Sequence, residues 1–266
     1  MRDLWFDLLK CCRVHPSLLV AFSGGVDSAL VARAAAEAVS GPVLLVFCRT
    51  PLIAAGEEAR ARSLAELLNL PFLVAELDVL ALPEVAQNQR ERCYVCKRAL
   101  YSHLRQIAVK EGLAQVADGS NSDDLRFGNR PGNRACAELQ IAQPLAEAGL
   151  DKERVRALAR WLGLPNHKQA ARPCLATRFP YDTPLCPKQL KRVADGEQLL
   201  AGMGCKDFRL RVHGDICRIE ATASDQELIM AESARIKKAL TALGWRFITL
   251  DLGGLQSGCF DTLLKN

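Results

Sequence analysis

Long apolar runs are missing from this chain of 266 residues, and that absence limits what it can be. No stretch approaches the roughly 20 apolar residues that a membrane-spanning helix needs. The first ten residues mix charged and apolar side chains and lack a small-residue cleavage site, which argues against a signal peptide. We therefore expect a cytoplasmic protein that has no membrane partner.

Dense basic runs and clusters of aromatic residues are also missing. The 35 Lys and Arg residues exceed the 30 Asp and Glu residues by only five, and aromatic residues make up 6% of the chain. Nucleic-acid-binding surfaces usually show a basic stripe with interleaved aromatic side chains, so the composition argues against nucleic acid as a partner. The mild positive charge suits a small phosphate-bearing substrate as well as weak RNA contact, and it does not distinguish between them.

Cysteine, by contrast, is abundant, with 11 residues. An odd number argues against a closed disulfide framework, and thiols in a reducing compartment are more often buried, catalytic or metal-bound. Cys93 and Cys96 form a C-x-x-C pair at the start of a predicted helix, which suits a metal or cluster pair, a redox disulfide, or neither. No second C-x-x-C or H-x-x-x-H follows, so tetrahedral zinc is the weaker metal interpretation.

The first part of the chain alternates between predicted strands and predicted helices. Four short apolar runs predict buried strands: Leu18–Phe22, Val43–Phe47, Phe72–Leu77 and Gln115–Ala117. Three stretches with helical periodicity lie between them: Ala29–Val39, Glu57–Leu68 and Lys97–Glu111. This alternation predicts a doubly wound, mostly parallel α/β sheet whose ligands bind at the carboxyl ends of the strands.

The second part predicts a smaller α+β domain. A helix begins at Asp151, and an irregular, proline-rich segment follows at residues 167–187. The remaining elements are then predicted in the order helix, strand, helix, strand: Lys188 to about Ala201, Phe208–Ile219, Asp225–Leu243 and Phe247–Leu252. We expect two domains, residues 1–170 and 171–266.

The turn after the first predicted strand reads Ser23-Gly24-Gly25-Val26-Asp27-Ser28. A glycine-containing turn between a strand and a helix directs backbone N–H groups and the positive end of the helix at one point, which suits a phosphate chain. No Gly-Lys-Ser/Thr follows and no G-x-G-x-x-G is present, so neither the Walker nor the dinucleotide-binding loop applies. The turn resembles the PP-loop of the ATP pyrophosphatases, although an ordinary helix-opening turn is the alternative.

That resemblance implies roles for the loop residues. Pyrophosphate would be held by four of them: Ser23, Gly24, Gly25 and Ser28. Asp27 would be the partner of Mg²⁺ and take part in catalysis. Asp118 and Ser120, at the end of the fourth predicted strand, are candidates for contact with the nucleotide or the metal, although Asp118-Gly119 could simply form a turn.

Cys174 lies in a proline-rich segment between Arg172 and Arg178. Nearby guanidinium groups favour the thiolate form of a cysteine, and a cationic loop is a poor place for an inert hydrophobic residue. The alternative is a buried thiol without a function. We expect Cys174 to be functional, whereas the other eight cysteines lie mostly in apolar contexts that predict burial.

Taken together, six stretches resemble the LarE family of ATP-dependent sulfur transferases, which make the thiocarboxylates of the nickel-pincer nucleotide. They are "FSGGVDS", "RCYVCK", "ADGSNSDDL", "RPGNRACAELQIAQPLAEAGLDKERVRALARWLGLP", "RPCLATRFPYDTP" and "RLRVHGDICRIE". The resemblance implies that ATP adenylates a carboxylate of a pyridinium dicarboxylate mononucleotide, and that sulfur then displaces AMP. Residues 1–170 would form the PP-loop ATP pyrophosphatase domain, and residues 171–266 the sulfur-transfer and substrate domain.

The resemblance implies two sources of sulfur. In sacrificial members, the cysteine at the position of Cys174 gives up its own sulfur and becomes dehydroalanine. In other members, three cysteines hold a 4Fe-4S cluster whose open iron carries sulfide, and this chain has all three positions: Cys93, Cys96 and Cys174. That favours the cluster route here, because thiolates suit iron and three ligands leave one site open.

Further residues enter through the same resemblance. Arg209 and Arg211, two apart on a predicted strand, face the same side and are candidates for the substrate phosphate, and Glu197 for a metal contact. A solvated charged face is an equally good interpretation of these three. The family's hexamers predict self-association.

Competing functions remain open at this point. A PP-loop tRNA thiolase could use the same three cysteines, but it would usually carry an RNA-binding module. An amidotransferase-coupled synthetase would need a glutaminase domain or partner. A degenerate nucleotide-binding regulator fits an intact loop from Ser23 to Ser28 poorly.

Overall fold

The fold is taken from a computed structural model that describes residues 1–126, 131–169, 172–256 and 258–260. The chain divides into two compact units. The first comprises residues 1–50, 56–79 and 91–171, and the second comprises residues 51–55, 80–90 and 172–266. Among the described residues, no helix is long and apolar enough to span a membrane.

The first unit contains a four-stranded parallel sheet with helices around it. Its strands are β1 (Leu18–Ala21), β2 (Val43–Arg49), β3 (Phe72–Glu76) and β4 (Gln115–Ala117). Its helices are α1 (Arg2–Arg13), α2 (Val26–Ala38), α3 (Glu57–Leu67), α5 (Arg92–Lys110), α6 (Ser122–Arg126), α7 (Pro131–Glu138), α8 (Pro144–Glu147) and α9 (Lys152–Trp161), while the short α4 (Pro83–Ala86) belongs to the second unit.

The spatial order of the sheet is β3-β2-β1-β4, with every pairing parallel. The chain moves outward from β1 to β3 and then returns to place β4 on the other side of β1. The order therefore reverses between β1 and β4, and a doubly wound sheet binds its ligands outside the strand ends at such a point. The loop that follows β1 lies at this position.

Burial explains why these segments form the sheet. Leu18, Leu19 and Val20 of β1 are fully buried, as a strand covered on both faces requires. Helix α2 is mostly alanine and small apolar residues, and its nine buried positions allow it to pack closely. It begins at Val26, three residues before the predicted start, and Gly25 is its N-cap.

The second unit contains a three-stranded mixed sheet in the order β5-β6-β7. Its strands are β5 (Phe208–His213), β6 (Ile216–Ala221) and β7 (Phe247–Leu250), and its remaining helices are α10 (Pro187–Gly202), α11 (Ala223–Ala231) and α12 (Ser233–Ala242). Strands β5 and β6 are antiparallel, whereas β6 and β7 are parallel. The α/β class with a smaller α+β part is confirmed.

Two elements of this unit that were predicted as single segments are each divided in two, so these predictions were wrong. The single strand predicted at Phe208–Ile219 is a hairpin, because Gly214 adopts a φ of 58° and turns the chain. The single helix predicted at Asp225–Leu243 is two helices that meet at Glu232. In the predicted irregular segment, residues 170 and 171 lie outside the described residues, and a short 3-10 helix occupies Leu175–Arg178.

Candidate functional site

The loop between β1 and α2 has the geometry of an anion site. Gly25 caps helix α2 in an extended conformation, with φ −72° and ψ 166°. The Ser23 and Ser28 hydroxyl oxygens lie 3.2 Å apart, Ser23 Oγ accepts from the Gly25 N–H at 3.3 Å, and Ser28 Oγ donates to the Gly25 carbonyl at 3.1 Å. The two hydroxyls therefore lie together at the positive end of the helix, as binding of a phosphate group requires.

Glycine is required at position 24. Its φ is +75°, which side chains rarely adopt, and a Cβ there would lie 2.9 Å from the Ala61 Cα of helix α3. The Gly24 carbonyl accepts from Asn166 Nδ2 at 3.0 Å. The loop is thus fixed by close packing on one side and by a hydrogen bond on the other.

Asp27, in the first turn of α2, is paired within the described structure. Its carboxylate forms an ion pair with the Lys152 ammonium and accepts from Asn121 Nδ2 at 3.2 Å. Lys152, Asn121 and Asn166 were not predicted from the sequence. Lys152 did carry a signal, because a cation in the first turn of a helix opposes the helix dipole and implies another partner.

Asp118 and Ser120 follow β4 and are both buried. Ser120 donates to Asp118 through its N–H at 2.9 Å and its hydroxyl at 2.8 Å, and the Tyr101 hydroxyl also donates to the Asp118 carboxylate. Burial and the adjacent Asp118 raise the pKa of Tyr101 well above its ordinary value. Asp118 therefore ties β4 to helix α5, and its contact with a nucleotide or metal stays a prediction.

The C-x-x-C pair lies at the start of α5, as predicted. Cys93 is exposed and Cys96 is half-buried. Because residues three apart share one face of a helix, the two thiols are neighbours on the surface of α5. The spacing suits two ligands of one metal centre.

Cys174 is exposed and precedes the 3-10 helix in the second unit. Its carbonyl accepts from Thr177 Oγ1 at 2.8 Å, and the next residue, Leu175, donates its N–H to the Leu52 carbonyl at 2.8 Å. The backbone at Cys174 is therefore fixed while its thiol faces solvent.

Arg178 has partners that could not be predicted from its position beside Cys174. It is buried, and its guanidinium donates to the Pro173 carbonyl at 3.0 Å and to the Cys174 carbonyl at 3.4 Å. It also forms an ion pair with Glu197, with Nε 2.8 Å from Oε1 and Nη2 3.0 Å from Oε2. Arg178 thus fixes the backbone at Cys174 and engages both carboxylate oxygens of Glu197. A metal contact at Glu197 would have to share these oxygens with Arg178, and it stays a prediction.

Arg209 and Arg211 lie on one face of β5 but differ in their surroundings. Arg211 is buried, pairs with Glu220 at 2.8 Å and donates to the Thr177 and Gln256 carbonyls. Arg209 donates to the Phe208 carbonyl at 2.6 Å. Burial, then the charge of Arg178, lowers the pKa of Arg209. The Glu197 and Asp207 carboxylates act in the opposite direction, and a bound phosphate would add a further counter-charge.

Several of the remaining cysteines are buried, as expected: Cys12, Cys48, Cys136, Cys205 and Cys217. Burial raises the pKa of Cys12, Cys48 and Cys217 to about 12, so these thiols are protonated at neutral pH. Cys186, in contrast, is exposed. Across residues 1–126, 131–169, 172–256 and 258–260, no group of three or more His, Cys, Asp or Glu side chains has an arrangement that could hold a metal ion.

The chain is similar in sequence to several known proteins. It is 37% identical over 248 residues to the pyridinium-3,5-bisthiocarboxylic acid mononucleotide synthase of Lactiplantibacillus plantarum, covering 92% of this chain and 90% of that protein. It is 34% identical to an uncharacterised Synechocystis protein, covering 92% of each. It is also 31% identical to a component of the glutamine-hydrolysing GMP synthase of Methanosphaerula palustris, over 59% of this chain and 53% of that protein. No protein-family model matches. On the first two similarities and the loop that it carries, the chain is an enzyme of the LarE family of sulfur transferases.

Proposed function

We propose that this enzyme converts a carboxylate of a pyridinium dicarboxylate mononucleotide into a thiocarboxylate at the expense of ATP. A carboxylate oxygen attacks the α-phosphorus of ATP, the bond to the β-phosphate breaks and pyrophosphate leaves. Sulfur then attacks the acyl carbon, and AMP leaves. The observation that carries the proposal is the loop from Ser23 to Ser28, which lies at the switch point of the sheet with its hydroxyls at the N-terminus of α2.

The loop and Asp27 account for the adenylation step. Backbone N–H groups and the Ser23 and Ser28 hydroxyls bind the two outer phosphoryl groups, which become the leaving group. Asp27 fits Mg²⁺, because its carboxylate already accepts the positive charge of Lys152 and oxygen is the donor that this ion prefers. Mg²⁺ would neutralise charge on the phosphates.

The sulfur step centres on Cys174, whose thiol is exposed on a fixed backbone. In the sacrificial route, the Cys174 sulfur attacks the acyl adenylate, and the resulting thioester undergoes β-elimination. That step removes the Cα proton, breaks the Cβ–S bond and leaves dehydroalanine and the thiocarboxylate. In the cluster route, Cys93, Cys96 and Cys174 would ligate a 4Fe-4S cluster, which supplies a site for exogenous sulfide. The shared helix face of Cys93 and Cys96 supports two of these ligands.

Arg209 is the residue that we propose for the substrate phosphate. It is half-buried beside Arg178 and Arg211, and burial and both of these charges lower its pKa, while the Glu197 carboxylate acts in the opposite direction. Replacing Arg209 with Met should raise KM for the mononucleotide and leave KM for ATP unchanged. Equal KM for the mononucleotide in the variant and the wild type would assign the phosphate elsewhere.

One assay tests the reaction itself. The protein, ATP, Mg²⁺ and the pyridinium dicarboxylate mononucleotide are incubated together, and pyrophosphate and AMP are measured. We expect both products, and we expect Asp27→Asn to lose most of the activity. Absence of both products with the authentic substrate would overturn the proposal.

Two measurements separate the sulfur routes. Anaerobically reconstituted protein should bind about four irons per chain in the cluster route and lose them in Cys93→Ala. In the sacrificial route, the protein works without iron, and mass spectrometry after turnover finds Cys174 converted to dehydroalanine. We also propose that the enzyme is cytoplasmic and self-associates, the latter to be checked by light scattering.

A further inference from the structure

Lys152 and Asp27 form an ion pair that the adenylation chemistry leaves unexplained. The two side chains are 35% and 23% exposed, and Asn121 supplies the second contact to the carboxylate. The backbone of Lys152 is also fixed, because its N–H donates to Asp123 Oδ2 at 3.0 Å. The ion pair with Asp27 therefore extends from a backbone position that is itself fixed at the start of α9.

A lysine at this place has an electrostatic cost. It occupies the first turn of α9, where the helix dipole favours anions, and the same turn is capped by Asp151, whose carboxylate accepts from the Arg154 N–H at 2.8 Å. The pairing with Asp27 offsets that cost. Asp27 in turn belongs to the loop that receives phosphate, where an unpaired carboxylate would repel the ligand.

Mg²⁺ and the Lys152 ammonium would compete for the Asp27 carboxylate. We propose that Lys152 occupies the Mg²⁺ position on Asp27 in the nucleotide-free enzyme and is exchanged for Mg²⁺ when Mg²⁺ and ATP bind. The released ammonium remains at the loop and pairs with the phosphates. This inference rests on the proposed function, since it assumes that the loop binds ATP and that Asp27 meets the metal.

The exchange predicts opposite effects for the two partners. Without a divalent metal, Asp27→Asn frees the ammonium and should tighten ATP binding about tenfold, whereas Lys152→Met should weaken it about tenfold. With Mg²⁺, Lys152→Met loses the contact between the ammonium and the phosphates but also removes the competitor of Mg²⁺ for Asp27, so ATP affinity should change little. The ratio of ATP affinity with Mg²⁺ to that in EDTA should therefore rise about tenfold above the wild-type ratio. In Asp27→Asn this ratio should fall to near one.

Titration calorimetry of ATP, in EDTA and in Mg²⁺, measures these constants without turnover. Lys110→Met is the control, because it removes the same charge from an exposed helix end in the same unit. Should Lys152→Met be unfolded in a thermal melt, Lys152→Gln and Asp27→Asn carry the test. An unchanged Mg²⁺ ratio in the Lys152 variant, or weaker metal-free binding in Asp27→Asn, would overturn the inference. Wild-type protein that binds no ATP in either buffer would instead overturn the proposed function.

Discussion

Arg178 and Glu197 form a bidentate ion pair that is mostly shielded from solvent. The two nitrogen-to-oxygen distances are 2.8 and 3.0 Å, and the side chains are 4% and 14% exposed. Glu197 Oε1 also accepts from the Leu210 N–H at 3.1 Å. The pair thus joins helix α10 and strand β5 to the carbonyls on either side of the Pro173–Cys174 bond.

Removing one charge of this pair should be costly. Glu197→Gln leaves a buried guanidinium without its counterion, and the free energy of unfolding should fall by about 3 kcal/mol. Urea denaturation measures the loss. Asp195→Asn is the matched control on the same helix, since its pair with the exposed Lys191 contributes about 0.5 kcal/mol. Equal losses in the two variants would contradict a stabilising role for the buried pair.

Asn88 fixes the backbone that follows the 3-10 helix after Cys174. It is fully buried, adopts a φ of 55°, and donates its amide to the Phe179 carbonyl at 3.2 Å and the Pro180 carbonyl at 2.7 Å. Asn88→Gly keeps the backbone conformation but leaves both carbonyls without these donors. Stability should fall by about 2 kcal/mol, and kcat for sulfur transfer should fall while KM for ATP does not.

The control for Asn88 is another asparagine in the same conformation. Asn69 has a φ of 53° and is exposed at the end of α3, so Asn69→Gly should change neither stability nor kcat. If both variants lose the same stability, the effect belongs to the backbone conformation and not to the amide contacts.

The sequence predicted features that depend on local pattern. Neighbouring residues are enough to recognise the apolar run at Leu18–Ala21, the loop that follows it and the C-x-x-C spacing of Cys93 and Cys96. The hairpin turn at Gly214 also had a local signal, since Gly-Asp interrupts the alternation of apolar residues. Such features were either predicted or predictable.

Features that depend on backbone pairing over long sequence separations were not predictable. Residues 51–55 and 80–90 join the second unit, in which the Leu175 N–H donates to the Leu52 carbonyl and the Leu185 N–H to the Ala86 carbonyl. Any residue can make such bonds, so the sequence carries no mark of them. Arg178 shows the same limit, because adjacency to Cys174 does not tell which group its guanidinium meets.

Gly119 links the end of β4 to the phosphate-binding loop. A Cβ at this position would lie 2.8 Å from the Ser28 nitrogen and 3.1 Å from the Asp27 carbonyl carbon. Gly119→Ala should therefore displace the start of α2 and weaken ATP binding at least about tenfold, measured by calorimetry. Gly202→Ala is the control, because a Cβ there meets no atom within 4 Å. Equal ATP affinity in both variants would show that the loop tolerates the displacement.

Cys48 gives the protein a predictable sensitivity to alkaline pH. Burial raises the pKa of its thiol from 9.0 to about 12. Between these values the unfolded chain releases a proton that the folded protein keeps, so the stability contribution is present below pH 9.0 and is lost as the pH rises towards about 12. The loss approaches about 1.4 kcal/mol per pH unit for one thiol. From about pH 8 to about pH 10.5, Cys48→Ala should therefore lose about 2 kcal/mol less stability than the wild type. Val46→Ala is the control, because it shortens a buried side chain on the same strand and keeps Cys48, so it should show the wild-type pH dependence. An identical pH dependence in both variants would show that Cys48 ionises alike in the folded and unfolded chains.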